Sequence, residues 1–171
     1  MDGPEGQLIV YHSAGNRRSE HWKVNNGKTR KARLPPGKST DSLYEAMIEL
    51  LRLVAADSER QVRVLPNLVH VPDEVAEDFS FAIQWTKRLL RERRITAAHV
   101  SKFEEIDAIF SRMDGDLRQY TLEAFRASPE WNDTRALAGR LLEALGEAGG
   151  PLDLSWMSYV GPRETVTGGT E

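Results

Sequence analysis

The sequence predicts a mainly α protein: a helical bundle of about five helices, with a small N-terminal β-hairpin and room for a C-terminal strand. Three observations predict it. Apolar residues recur at three- and four-residue spacing through most of the chain from 42 to 145. Side chains that cap helices stand in front of several of these stretches. The first forty residues differ in kind, being rich in Gly, Asn, Pro and basic residues and poor in large apolar ones. The pattern divides the 171 residues into a basic hairpin arm over 1–40, a helical bundle over 41–150 and an extended segment over 151–171.

Gln7 to Tyr11 reads as a strand. His21–Val24 and Lys28–Leu34 flank Asn25-Asn26-Gly27, and Asn-Gly supplies the positive φ angles of a tight hairpin turn. Pro35-Pro36 ends the region, because two prolines continue neither a ladder nor a helix. Ser39 to Ser42 offer cap oxygens for a first helix over 42–56, with Leu43, Met47, Leu50, Leu51 and Val54 on one face. Residues 57–60 break that period, and 61–71 read as a loop or short extended segment.

Pro72-Asp73 opens a second helix over 73–93. It is apolar on two faces, Val75/Phe79/Ala82/Ile83 and Phe81/Trp85/Leu89, which predicts a central place in the bundle. Thr96 caps a third helix over 97–113, with Phe103, Ile106, Phe110 and Met113 inward and Gly115 just past its end. A short helix over 116–126 should turn Leu117, Tyr120, Ala124 and Phe125 inward. Ser128 as cap and Pro129 at the first position start the last helix, which runs to Gly146. Leu152, Leu154 and Trp156 alternate as a strand would, and Trp85, Trp131 and Trp156 are all expected in the core.

Motif chemistry is sparse. With no cysteine, disulfides, thiolate metal sites and cysteine nucleophiles are excluded. His12, His21, His70 and His99 have no mutual i,i+3 or i,i+4 spacing, so no helical metal pair forms. Gly37-Lys38-Ser39 precedes a helix, but Ala32 stands where a phosphate-binding loop needs its first glycine, and a helix cap is the simpler reading. No G-x-S-x-G nucleophile elbow occurs. The expectation is therefore a protein without catalytic residues, metal or cofactor. No apolar run approaches the roughly 20 residues that span a bilayer, and Met1–Glu5 lacks the basic start and apolar stretch of a secretory signal. Cytoplasm and no membrane contact are the expectations.

Charge carries the functional signal. The net charge of -3 conceals two opposite parts. Residues 1–40 hold eight Lys/Arg against three acids, a net of +5; residues 41–171 hold 15 against 23, a net of -8. Asp73, Glu74, Glu77 and Asp78 crowd the start of the second helix, and Glu104, Glu105 and Asp107 lie on the third. Helix-dipole complementation accounts for the first group, and for the basic run Lys87 to Arg94, without any ligand. The functional reading of the seven acids is an acidic helical face that binds a basic protein. The alternative is nucleic-acid binding through Arg17, Arg18, Trp22, Lys28, Arg30, Lys31 and Arg33, cations with an interleaved aromatic on a two-stranded ribbon. A third option is a clasp between the basic arm and the acidic body.

Leu65 to Phe79, Phe103-Glu104-Glu105-Ile106-Asp107, Ser128-Pro129-Glu130-Trp131 and the leucine-rich last helix together resemble small, uncharacterised helical proteins of actinobacteria, some of them of the immunity type in toxin–immunity pairs. The resemblance covers the region from 65 to 145 and leaves the basic arm outside. It implies a non-enzymatic regulatory or neutralising partner of another protein, and it assigns no site residue.

Overall fold

The computed structural model describes residues 39–65 and 69–154. Within them the chain forms six α-helices and no strand: α1 (Thr40–Ala55), α2 (Ser58–Val64), α3 (Val71–Arg91), α4 (Ala97–Met113), α5 (Leu122–Ala127) and α6 (Pro129–Leu145), with a 3-10 turn at Leu117–Tyr120. The expected hairpin lies outside the described residues. So does Trp156; residues 151–154 take no regular secondary structure, although Leu152 and Leu154 pack on the core.

Three of the four long helices start at a side-chain cap, whereas α3 starts with Pro72 in its first turn and no side-chain cap hydrogen bond. Ser39 Oγ accepts the Ser42 N–H at 3.2 Å, ahead of α1. Thr96 and His99 form a reciprocal capping box at α4. Ser128 Oγ accepts from Trp131 at 3.4 Å, with Pro129 at the first turn of α6. Capping satisfies N–H groups that the first turn leaves without intrahelical partners.

Helix α1 packs on α3 and α6, and α4 packs on the same two, so the four long helices close into a ring. Their directions alternate. The start of α1 meets the end of α3, where Arg94 pairs with Asp41 at 3.2 Å. The end of α1 leads into α2, which sits against α5 beside the start of α6. One end of the bundle thus gathers α2, the start of α3, the 3-10 turn and α5. The opposite end carries the start of α1, the end of α3 and the start of α4.

The core is filled by the residues the periodicity named. Met47, Leu51, Phe79, Phe103, Ile106, Phe125, Trp131 and Leu141 have no exposed surface, and Trp85 is buried too. Aromatic rings form its centre: Phe79 lies 6.0 Å from Phe103 and 5.4 Å from Phe110, and Trp131 meets Phe125 edge-on at 4.7 Å. The Trp131 indole N–H reaches the Gln119 carbonyl at 2.8 Å, which satisfies its buried donor.

Three expectations fail: the loop at 58–64, the inward Leu117, and the single short helix over 116–126, which divides at Thr121 into the 3-10 turn and α5. Residues 58–64 form a helix, not a loop, begun by Asp57, whose carboxylate accepts the Arg60 N–H at 2.9 Å. That helix buries a polar residue, Gln61, and so shows no apolar stripe. Leu117, expected inward, is 82% exposed. The 3-10 turn there has three residues per turn and shifts the facing that a 3.6-residue period assigns.

Candidate functional site

Three polar features compete for a functional role: the acids of α3 and α4, a buried network at the α2 end, and the cations at the end of α3.

The acids do not form one surface. Asp78 is fully buried and Glu74 is 7% exposed, while Glu77, Glu104 and Glu105 are exposed and Asp73 and Asp107 are half-buried. Positions 74 and 78 share the face of α3 that also carries Phe81 and Trp85, the second of its two covered faces. An approaching partner therefore does not meet Glu74 or Asp78, and this corrects the seven-residue surface read from the sequence. Asp73, Glu74, Glu77, Asp78 and Asp107 all take part in polar or electrostatic interactions. Asp73 pairs with His70 Nδ1 at 3.1 Å, and Glu105 pairs with Lys102 at 2.7 Å.

The buried network was not visible from sequence. Gln61 donates to the Leu53 and Val54 carbonyls at 2.8 and 3.2 Å at the end of α1, where Leu53 also accepts the Ala56 N–H at 3.3 Å. Its own carbonyl accepts from Arg135 Nε at 3.2 Å. Arg135 also donates to the Phe125 carbonyl at 2.6 Å and lies over the Phe125 ring at 4.7 Å. Burial pushes the Arg135 guanidinium below its ordinary value, and the charge of Asp57 partly opposes that. The group ties α1, α2, α5 and α6 together, so its geometry is that of a structural clamp.

The end of α3 is a concentrated cation patch. Lys87, Arg88, Arg91, Arg93 and Arg94 fall within eight residues, with Glu92 as the only acid among them. Two of the five are tied down: Arg88 pairs with Glu92 at 2.9 Å, and Arg94 pairs with Asp41 and lies 4.9 Å over the Tyr44 ring. Lys87 and Arg93 are exposed and form no ion pair among the described residues, and Arg91 has a single contact at 4.0 Å.

Arg93 has positive φ, at 57°, unlike any other described residue that is not glycine. The Arg93 and Arg94 N–H groups bond back to the Leu90 and Leu89 carbonyls at 3.0 and 2.9 Å, the hydrogen-bond pattern that closes a helix through one left-handed residue. α6 closes through the same pattern with Gly146, at φ 75°. A side chain in the left-handed region costs about 1 kcal/mol relative to glycine.

His70 precedes α3 and His99 belongs to the α4 capping box; His12 and His21 lie outside the described residues. No cluster of three His, Asp or Glu side chains among the described residues is placed to hold a metal ion. No described helix is long and apolar enough to cross a membrane. Arg17, Arg18, Trp22, Lys28, Arg30, Lys31 and Arg33, the sequence-derived alternative site, lie outside the described residues. Comparison with protein-family profiles, with curated proteins and with solved structures finds no match to this chain.

Proposed function

We propose that this protein is a non-enzymatic binding module that engages a basic protein through the acidic surface of its helical bundle, in the role of an immunity-type or regulatory partner. The observation that carries this reading is the charge distribution. Residues 39–154 hold 14 Lys/Arg and 21 Asp/Glu. Removing the Lys87–Arg94 window, with its five cations and one acid, leaves 9 against 20. Away from the end of α3 the bundle is thus strongly acidic, which steers a basic partner and disfavours acidic ones. Glu77, Glu104 and Glu105 are the exposed members of the predicted face. Glu74 and Asp78 serve the fold beneath it.

Affinity capture from native lysate with the full chain tests this reading. The expected result is a stoichiometric basic protein that the triple variant Glu77→Lys/Glu104→Lys/Glu105→Lys no longer retains. Capture of no such protein, or capture unchanged in the triple variant, counts against it.

A further inference from the structure

Of the cations at the end of α3, Arg88 and Arg94 are held by Glu92, Asp41 and the Tyr44 ring, while Lys87, Arg91 and Arg93 are exposed. Dipole complementation explains why positive charge is welcome at a helix C-terminus. It does not explain Arg93. That residue lies beyond the last turn, in a left-handed conformation that glycine adopts without penalty, and the same chain uses Gly146 at the matching position of α6. An arginine is held there against the backbone's preference, and it is exposed. Residues kept in unfavourable backbone conformations are enriched where the side chain is used.

We infer that Lys87, Arg91 and Arg93 form a phosphate-contacting patch for nucleic acid. Lys87 and Arg91 are four residues apart and so share one face of α3, with Arg93 on the turn that follows. Arg88 and Arg94 beside them are ion-paired to Glu92 and Asp41, which leaves the three as the cations without a close ion pair at this end. The chain enters α1 at this same end of the bundle, because Asp41 contacts Arg94. A nucleic acid suits this chemistry better than an anionic membrane does. Among the cations only Leu90 offers exposed apolar surface, at 38%, whereas membrane-surface helices bury a broad apolar face.

The inference stands apart from the acidic-surface reading, since it uses other residues at another place and needs no protein partner. It is tested with the full-length protein and a fluorescein-labelled single-stranded oligonucleotide, by anisotropy across a salt series. The expected result is binding whose logarithm falls linearly with log salt concentration. Lys87→Ala/Arg91→Ala should lower that slope by about 1.4, at about 0.7 per lost phosphate contact on a single strand, and weaken binding about tenfold or more at low salt. Arg93→Gly should bind several-fold more weakly while melting at a higher temperature, a split that general loss of structure does not produce. Arg118→Ala, which removes an exposed cation at the other end of the bundle, should bind as wild type. The inference is overturned if wild type does not bind, if the double variant matches it in affinity and slope, or if Arg118→Ala loses as much as the double variant. Retention on phosphatidylserine vesicles without oligonucleotide binding overturns it in favour of a lipid surface.

Discussion

The two ends of α3 carry opposite charges, and the helix dipole accounts for the sign at each. They differ in where the charges go. At the first end Glu74 and Asp78 are buried beneath neighbouring structure, and Asp73 is half-covered. At the second end Lys87, Arg91 and Arg93 stand in solvent. Sign is a local property of a helix terminus, set by orphan N–H and C=O groups. Exposure is set by what packs around it. The first end is crowded in that Glu74 and Asp78 lie on a covered face of α3; the second is open, residues 90–94 all being exposed. Charge at the crowded end is committed to the fold, and charge at the open end is available to a ligand.

Reversing one charge at each end breaks this comparison most directly. Asp78→Lys places a cation at a site with no exposed surface, and should cost about 3–5 kcal/mol. Arg91→Glu changes charge by the same amount at a position whose side chain is 76% exposed, and should stay within about 0.5 kcal/mol of wild type. Urea denaturation measures both. Equal losses would mean that the two ends do not differ in how their charges are used.

A smaller effect separates the two ends by their polar caps. Gln61→Ala removes the donor to the Leu53 and Val54 carbonyls and the acceptor for Arg135, all at the crowded end. Buried groups left without partners cost about 1–3 kcal/mol. Thr96→Ala removes the exposed cap of α4 at the open end, where water replaces the hydroxyl, and should cost about 1 kcal/mol or less. Thermal or chemical denaturation of the two variants should rank them in that order.

The same contrast governs what the sequence made legible. α1, α3, α4 and α6 were readable because each has an apolar stripe and a recognisable start, Ser39, Pro72, Thr96 and Ser128-Pro129. α2 was not, because its one buried side chain is a glutamine whose partners come from α1 and α6. Tertiary hydrogen bonds leave no periodic trace. Asp57 was the available signal, a cap residue standing where the period of α1 stops. For the candidate surfaces, the clustering of like charges was legible and their burial was not. The two apolar faces of α3 already implied that some of its acids would be covered, since 74 and 78 precede Phe81 and Trp85 at helical spacing. The left-handed Arg93 had no signature, for nothing in its neighbours distinguishes it from an ordinary surface arginine.

The finest comparison lies within the open end itself, where α3 and α6 close through the same hydrogen bonds around different residues. Glycine enters the left-handed region freely; arginine loses about 1 kcal/mol there. Arg93→Gly should therefore stabilise the protein by about 1 kcal/mol, less a few tenths for the freedom glycine adds to the unfolded chain. Gly146→Arg should destabilise it by about 1 kcal/mol, since no atom lies within 4 Å of an added Cβ and the penalty is confined to the backbone. Measured by denaturation, the two exchanges should have opposite signs and similar size. If Arg93→Gly instead lost stability, the guanidinium would be holding the fold together. Its place at the end of α3 would then need no ligand to explain it.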